Sequence, residues 1–214
     1  MQEITTINPD PGTRRLNHPL IIITEGVLDI SCLTHLSNVV REAHPELPDL
    51  QLLSNQGRVV FLPAGGGDLA AWTTRLAPLG CHEFLLSDRE QQPETEVRQS
   101  IVNQFNSRPG CRAALTKKRS LENYLHSTAI KATFGVSIAT TDDAPVAELV
   151  ARSLSEMSSL WGSHSRRQQQ RAIYRVKRRL NTETADRMTT ELLSERDPDG
   201  EVLGWFRTIA DLLG

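Results

Sequence analysis

The sequence predicts an α/β fold, a parallel β-sheet flanked by helices, with an α-helical C-terminal extension. Three observations carry this. Short β-branched runs alternate with stretches of helical apolar spacing between Leu20 and Thr116. The first run is apolar without a break, as suits a strand buried on both faces of a parallel sheet. After Thr116 the character changes, and every later segment reads as helix.

Leu20-Ile21-Ile22-Ile23-Thr24 is the first strand, followed by Gly26. Val27, Ile30, Leu33, Leu36 and Val40 recur at helical spacing, and His44-Pro45 with Pro48 close that helix. Arg58 to Leu62 is a second strand, running into Pro63-Ala64-Gly65-Gly66-Gly67-Asp68. A helix over Leu69 to Leu76 follows, with Asp68 as its N-cap. Glu83 to Ser87 is the third strand, Glu94 to Phe105 a helix, and Arg112 to Thr116 the fourth strand. Such alternation makes a right-handed βαβ sheet the economical architecture. Helices are then expected over Ser120 to Ile130, Ala144 to Leu160, Ser165 to Leu180, Thr182 to Leu193 and Glu201 to Leu213. Thr140 to Pro145 is the best boundary. It divides the chain into a polar leader (1–19), an α/β domain (20–140) and a helical subdomain (141–214).

At 214 residues the chain has room for one ordinary domain and a small appendage. A hydrophobic content of 38% with 23% charged residues excludes the disordered and membrane classes. Cys32, Cys81 and Cys111 are odd in number and lack metal-ligand spacing, which points to a reducing compartment. Met1 to His18 is polar and unlike a signal peptide, and Leu20 to Ile23 is far too short to span a bilayer. A cytoplasmic protein without membrane contact is expected. The net charge of −2 hides an uneven distribution, because Arg166 to Arg179 holds seven basic residues and no acid. A basic tract beside an acidic pocket suits a polyanion handled with metal ions.

In an open parallel sheet, ligands sit at the carboxyl ends of the strands. Glu25 directly follows strand one, and Asp29 lies four residues on, where a helix would turn it to the same cleft. Asp88 and Glu90 follow strand three and, in an extended segment, project to one side while Arg89 points away. Glu122 follows strand four. Five carboxylates in one cleft would repel each other unless a cation neutralised them. Oxygen ligands without histidine or thiolate favour magnesium or manganese. Two such ions about 4 Å apart can activate water and stabilise the leaving oxygen of a phosphodiester. Each acid also has a plainer reading. Glu25 and Asp29 suit the positive end of a helix, Asp88-Arg89-Glu90 suits a solvated loop, and Glu122 suits an early helical position behind Ser120. Their joint placement at successive strand ends favours a site.

Ile23-Thr24-Glu25-Gly26-Val27-Leu28-Asp29, the glycine-rich turn after strand two and Leu86-Ser87-Asp88-Arg89-Glu90 together resemble a TOPRIM domain. Arg119-Ser120-Leu121-Glu122-Asn123-Tyr124-Leu125 is similar to the R-x-x-E-N-Y-L segment of the OLD-family nucleases. The resemblance covers residues 20 to 130 well and the helical remainder loosely. It implies a TOPRIM-like fold and a magnesium-dependent endonuclease of DNA or RNA, with DNA the favoured of the two as substrate. Glu25, Asp88 and Lys177 would be catalytic, and Glu25, Asp29, Asp88, Glu90 and Glu122 would hold Mg2+ or Mn2+. The family's D-x-D stands here as Asp88-Arg89-Glu90, which moves the second carboxylate outward by a methylene. Such nucleases work with an ATPase, and a role in phage defence goes with them. No G-x-x-x-x-G-K-[ST] occurs, so this chain is not the ATPase part; it is either a free-standing subunit or the effector of a separate ATPase subunit, with self-association left open. Gly65-Gly66-Gly67-Asp68 suits either a close backbone approach to phosphate or a tight capped turn.

Arg167, Arg171, Tyr174 and Arg178 share one helical face, with Arg175 and Arg179 beside it and an apolar stripe of Ile173, Val176 and Leu180 elsewhere. A guanidinium row suits phosphate contacts, and a solvated face or an acidic partner is the alternative. Lys117, Lys118 and Arg119, next to Glu122, are placed to steer the backbone into the site. No H-E-x-x-H or G-x-S-x-G occurs, and Trp72, Trp161 and Trp205 read as core or interface anchors. The leading expectation is a metal-dependent nuclease. A non-catalytic module binding nucleic acid or an ATPase is the runner-up, and nucleotidyl transfer comes third.

Overall fold

The computed structural model describes residues 18–65, 69–156 and 165–214, with only the backbone of Thr73. The leader up to residue 17, the proposed cap Asp68 with Gly66 and Gly67, and Trp161 lie outside the described residues.

Four strands form one sheet, β1 (Leu20–Thr24), β2 (Val59–Pro63), β3 (Glu83–Ser87) and β4 (Cys111–Leu115). Their order is β2-β1-β3-β4 and every pairing is parallel. Parallel strands need crossovers, and the alternation supplies them. α1 (Val27–Ala43) and the short α2 (Leu50–Asn55) join β1 to β2. α3 (Leu69–Arg75) leads to β3, and α4 (Glu94–Asn106) leads to β4. A 3-10 turn (Leu121–Tyr124) precedes α5 (Ser127–Phe134), α6 (Val146–Glu156), α7 (Arg166–Arg179), α8 (Thr190–Arg196) and α9 (Glu201–Leu213). No helix among the described residues is long and apolar enough to cross a membrane.

Side chains alternate across a strand, so β1 feeds two cores. Leu20 and Ile22 join Phe84 and Leu86 in a large cluster with α1 and the C-terminal helices. Ile21 and Ile23 join Leu85, Leu69, Ile101 and Phe105 beneath α3 and α4 on the other face. Trp205 of α9 lies in the larger cluster and meets Tyr124 edge-on at 5.1 Å. Trp72 donates to the Ala64 carbonyl at 3.1 Å.

The structure corrects the expected helices in three places. Ser120 to Ile130 is not one helix: Leu125 is extended, and His126 caps a fresh start at α5. Thr182 to Leu193 is broken too, since a π turn (Leu180–Thr184) and a 3-10 turn (Ala185–Arg187) precede an extended Met188. α2 was not expected at all. Its six residues begin on Asp49, whose side chain accepts from Leu52 N, and are too few to display a helical period.

Gly110 opens β4 at φ +72°, where an added Cβ would also meet the His82 ring at 2.9 Å. Gly110→Ala is expected to cost about 2 kcal/mol, because a non-glycine residue is strained there whatever the space. Urea denaturation measures it, and an unchanged midpoint would contradict the assignment.

Candidate functional site

The chain leaves β1 for its neighbour on one side and returns to place β3 on the other. The helices after these two strands lie on opposite faces, α1 over the larger cluster and α4 over the smaller. A crevice therefore opens at their carboxyl ends, the switch point at which open α/β sheets hold ligands.

Glu25 and Asp88 meet in that crevice. Glu25 Oε1 accepts from Asp88 N at 3.1 Å and from Ser87 Oγ at 3.2 Å. Arg98, reaching in from α4, pairs with the same oxygen and donates to Ser87 Oγ at 3.1 Å. Asp88 Oδ1 accepts from Leu121 N at 3.0 Å, which ties the β3 end to the turn after β4. The second carboxylate oxygens of Glu25 and Asp88 have no hydrogen-bond partner among the described residues.

Asp29 and Glu122 stand beside them, joined by Lys177 of α7. The ammonium lies 3.6 Å from Asp29 Oδ1 and 3.3 Å from Glu122 Oε1. Asp29 Oδ2 accepts from Gly26 N at 2.7 Å, whereas its buried Oδ1 has no hydrogen bond. Glu122 accepts from Ser120 Oγ at 2.7 Å and from Asn181 Nδ2 at 2.6 Å.

Burial governs the electrostatics. It pushes the Asp88 carboxyl well above its ordinary range, and Glu122 and Asp29 add to the rise. Asp29 is raised mainly by burial, with Lys177 opposing. Burial is also the largest influence on Glu122, but Lys177, Asn181 and Ser120 outweigh it and hold that carboxyl below its usual value. Lys177 is raised: burial works against its charge, and Glu122, Asp29 and Asp88 overcome that. The thiol of Cys32, buried beneath these acids, is pushed far up by the same burial and negative charge.

Glu90 stands apart from this group. Its φ of 57° breaks the extended segment expected over Asp88-Arg89-Glu90. Its carboxylate lies 3.6 Å from Arg119 Nε at the rim, and its amide donates to the Arg119 carbonyl. Arg89 points away as expected, to Asp143. The basic cluster after β4 is largely spoken for. Lys118 is a correction, because it is 7% exposed, pairs with Asp142 at 2.7 Å and lies over the Tyr124 ring. An ammonium folded into the interior cannot greet a polyanion. Lys117 is exposed and pairs with Asp199 at 3.1 Å. Arg167, Arg171, Arg175 and Arg178 are exposed along α7.

Arg98, Ser87 and Asn181 were not foreseen. Arg98 comes from a different crossover and Asn181 from the π turn, so no local spacing links either to an acid. The described part of the glycine-rich turn does reach the crevice, as Gly65 N donates to the Glu25 carbonyl at 2.9 Å. Among the described residues, no three His, Cys, Asp or Glu side chains form a ready cage for a metal ion. No protein-family model, curated protein or solved structure matches the chain.

Proposed function

We propose that this chain hydrolyses phosphodiester bonds of nucleic acid as a TOPRIM-type, divalent-metal-dependent nuclease. One observation carries the reading: Glu25 and Asp88, from two different strand ends, meet at the switch-point crevice, each with an oxygen unpartnered among the described residues. Magnesium is usually held by one or two carboxylates, with waters and a substrate phosphate completing its shell. Two acids with oxygens to spare fit that habit without a three-ligand cage, and Asp29 Oδ1, which has no hydrogen bond and faces the Lys177 ammonium, stands next to them. Glu25, Asp88 and Asp29 would hold the metal, with Glu122 steadied beside them. The metal would supply an activated water and stabilisation of the leaving oxygen.

The chain's own residues position these groups. Ser87 and the Asp88 amide fix the Glu25 carboxylate, and Leu121 N fixes that of Asp88. Lys177 balances Asp29 and Glu122 and keeps them from repelling one another. A separate ATPase subunit and DNA as substrate belong to this reading through the family resemblance alone, and a cytoplasmic setting through the odd, unspaced cysteines.

A second reading has its own support. Lys177 and Arg98 already neutralise the acids from within, as a non-catalytic module binding nucleic acid or an ATPase would require. Incubating the protein with plasmid, single-stranded DNA and RNA in Mg2+ or Mn2+ separates the two. Cleavage is expected, falling at least a hundredfold in Glu25→Ala, since one well-placed electrostatic group is commonly worth that much. Binding with no cleavage in any condition would hand the case to the module.

A further inference from the structure

The guanidinium groups of α7 surround an aromatic ring that the core does not use. Val176 and the adjoining Leu180 face inward, Lys177 turns to the acids, and Arg179 pairs with Glu183 at 2.7 Å. Arg167, Arg171, Arg175 and Arg178 pair with no acid among the described residues. Tyr174 lies in their midst and is 59% exposed. An open depression of about 460 Å³ is lined by Arg167, Gln170, Arg171, Tyr174 and Arg175.

Geometry links this face to the crevice. Arg167, Tyr174 and Arg178 lie within about 40° of one another around the helix, in a row about 16 Å long. Tyr174 and Lys177, three residues apart, are surface neighbours one turn from each other. A chain lying along the row thus passes within one helical turn of the lysine that touches Asp29 and Glu122.

Unpartnered positive charge calls for a polyanion, and the exposed ring narrows its kind. Duplex bases are stacked on each other, so a duplex offers such a face phosphates and groove edges but no open base face for the ring. An unpaired strand also offers base faces, which stack on aromatic side chains regardless of sequence. We propose that the outer face of α7 binds an unpaired stretch of nucleic acid, with phosphates on the arginine row and a base stacked on Tyr174. This deepens the nuclease reading by naming its substrate class, and rests on that reading only for what happens to the strand afterwards.

The test is binding without cleavage. Fluorescence anisotropy in EDTA would compare the full chain on labelled oligothymidine, oligouridine and a mixed-sequence duplex of equal length. Both single strands are expected to bind more tightly than the duplex. Tyr174→Ala should weaken single-strand binding about tenfold and leave duplex binding nearly unchanged, whereas Tyr174→Phe should bind as the parent does. Arg167→Gln and Arg171→Gln should each lower the salt dependence of single-strand binding by a little under one unit of slope. Tyr174 is solvent-facing, so melting curves of the variants should overlay the parent curve. Equal affinity for duplex and single strand, or single-strand binding untouched by Tyr174→Ala, would overturn the proposal. Because no metal is present, that result would leave the nuclease reading standing, and a protein that binds but never cuts would do the reverse.

Discussion

Lys177→Met is expected to lower stability by about 3 kcal/mol at neutral pH. The substitution keeps an unbranched apolar stem one atom shorter and removes the ammonium group. Asp29 and Glu122, both almost fully buried, would then face each other with no ammonium between them. Removing one partner of a buried pair costs about 3–5 kcal/mol, and the lower end applies because the lysine side chain is 34% exposed and partly screened. The pH dependence has a definite sign. The folded state holds Glu122 below its ordinary range, so its contribution is present above the unfolded carboxylate value of about 4.3 and lost as the pH falls through the lower folded value. The gap between parent and variant should therefore be widest at neutral pH and close in acid, where the carboxyls are neutral. Urea midpoints at several pH values measure it. A gap that stayed constant into acid would show that Lys177 acts through packing rather than charge.

What the sequence revealed and what it hid have different physical origins. The strands were legible because a parallel strand buried on both faces leaves a continuous apolar signature, as in Leu20 to Ile23. Glu25 and Asp88 were legible because ligand sites collect at strand ends, a position that the order of elements defines. Asp29 followed from helical spacing. The partners that tune these acids left no such trace. Arg98 reaches Glu25 across 73 positions and Asn181 reaches Glu122 across 59, and contacts of that separation are settled only by packing.

The broken helices share this cause. Asn123 gives its side-chain amide to the carbonyls of Thr141 and Ala144, and the Tyr124 hydroxyl bonds to Glu201. These long-range bonds hold Leu121–Tyr124 as a separate turn where helical spacing alone would run on to Ile130. The π turn does comparable work at the site, carrying Asn181 into reach of Glu122. Lys118 was misjudged for the opposite reason. A lysine beside two other bases reads as surface, but Asp142 and the Tyr124 ring draw its stem inward.

Phe206→Ala should lower stability by about 3–5 kcal/mol. Phe206 is fully buried on α9 and belongs to the cluster that also holds Leu20 and Ile22 of β1. Its removal would leave a cavity shared by the sheet and the C-terminal helices, and the close packing on both sides limits collapse into it. The expectation reaches beyond magnitude. A helical subdomain with its own core would unfold separately, and the substitution would move only its transition. One shared cluster predicts a single cooperative loss instead. Far-ultraviolet circular dichroism and tryptophan fluorescence, followed through the same urea titration, should shift together to a lower midpoint with an unchanged slope. Two separated transitions in the variant, with the sheet melting at the parent midpoint, would show that residues 141–214 fold on a core of their own.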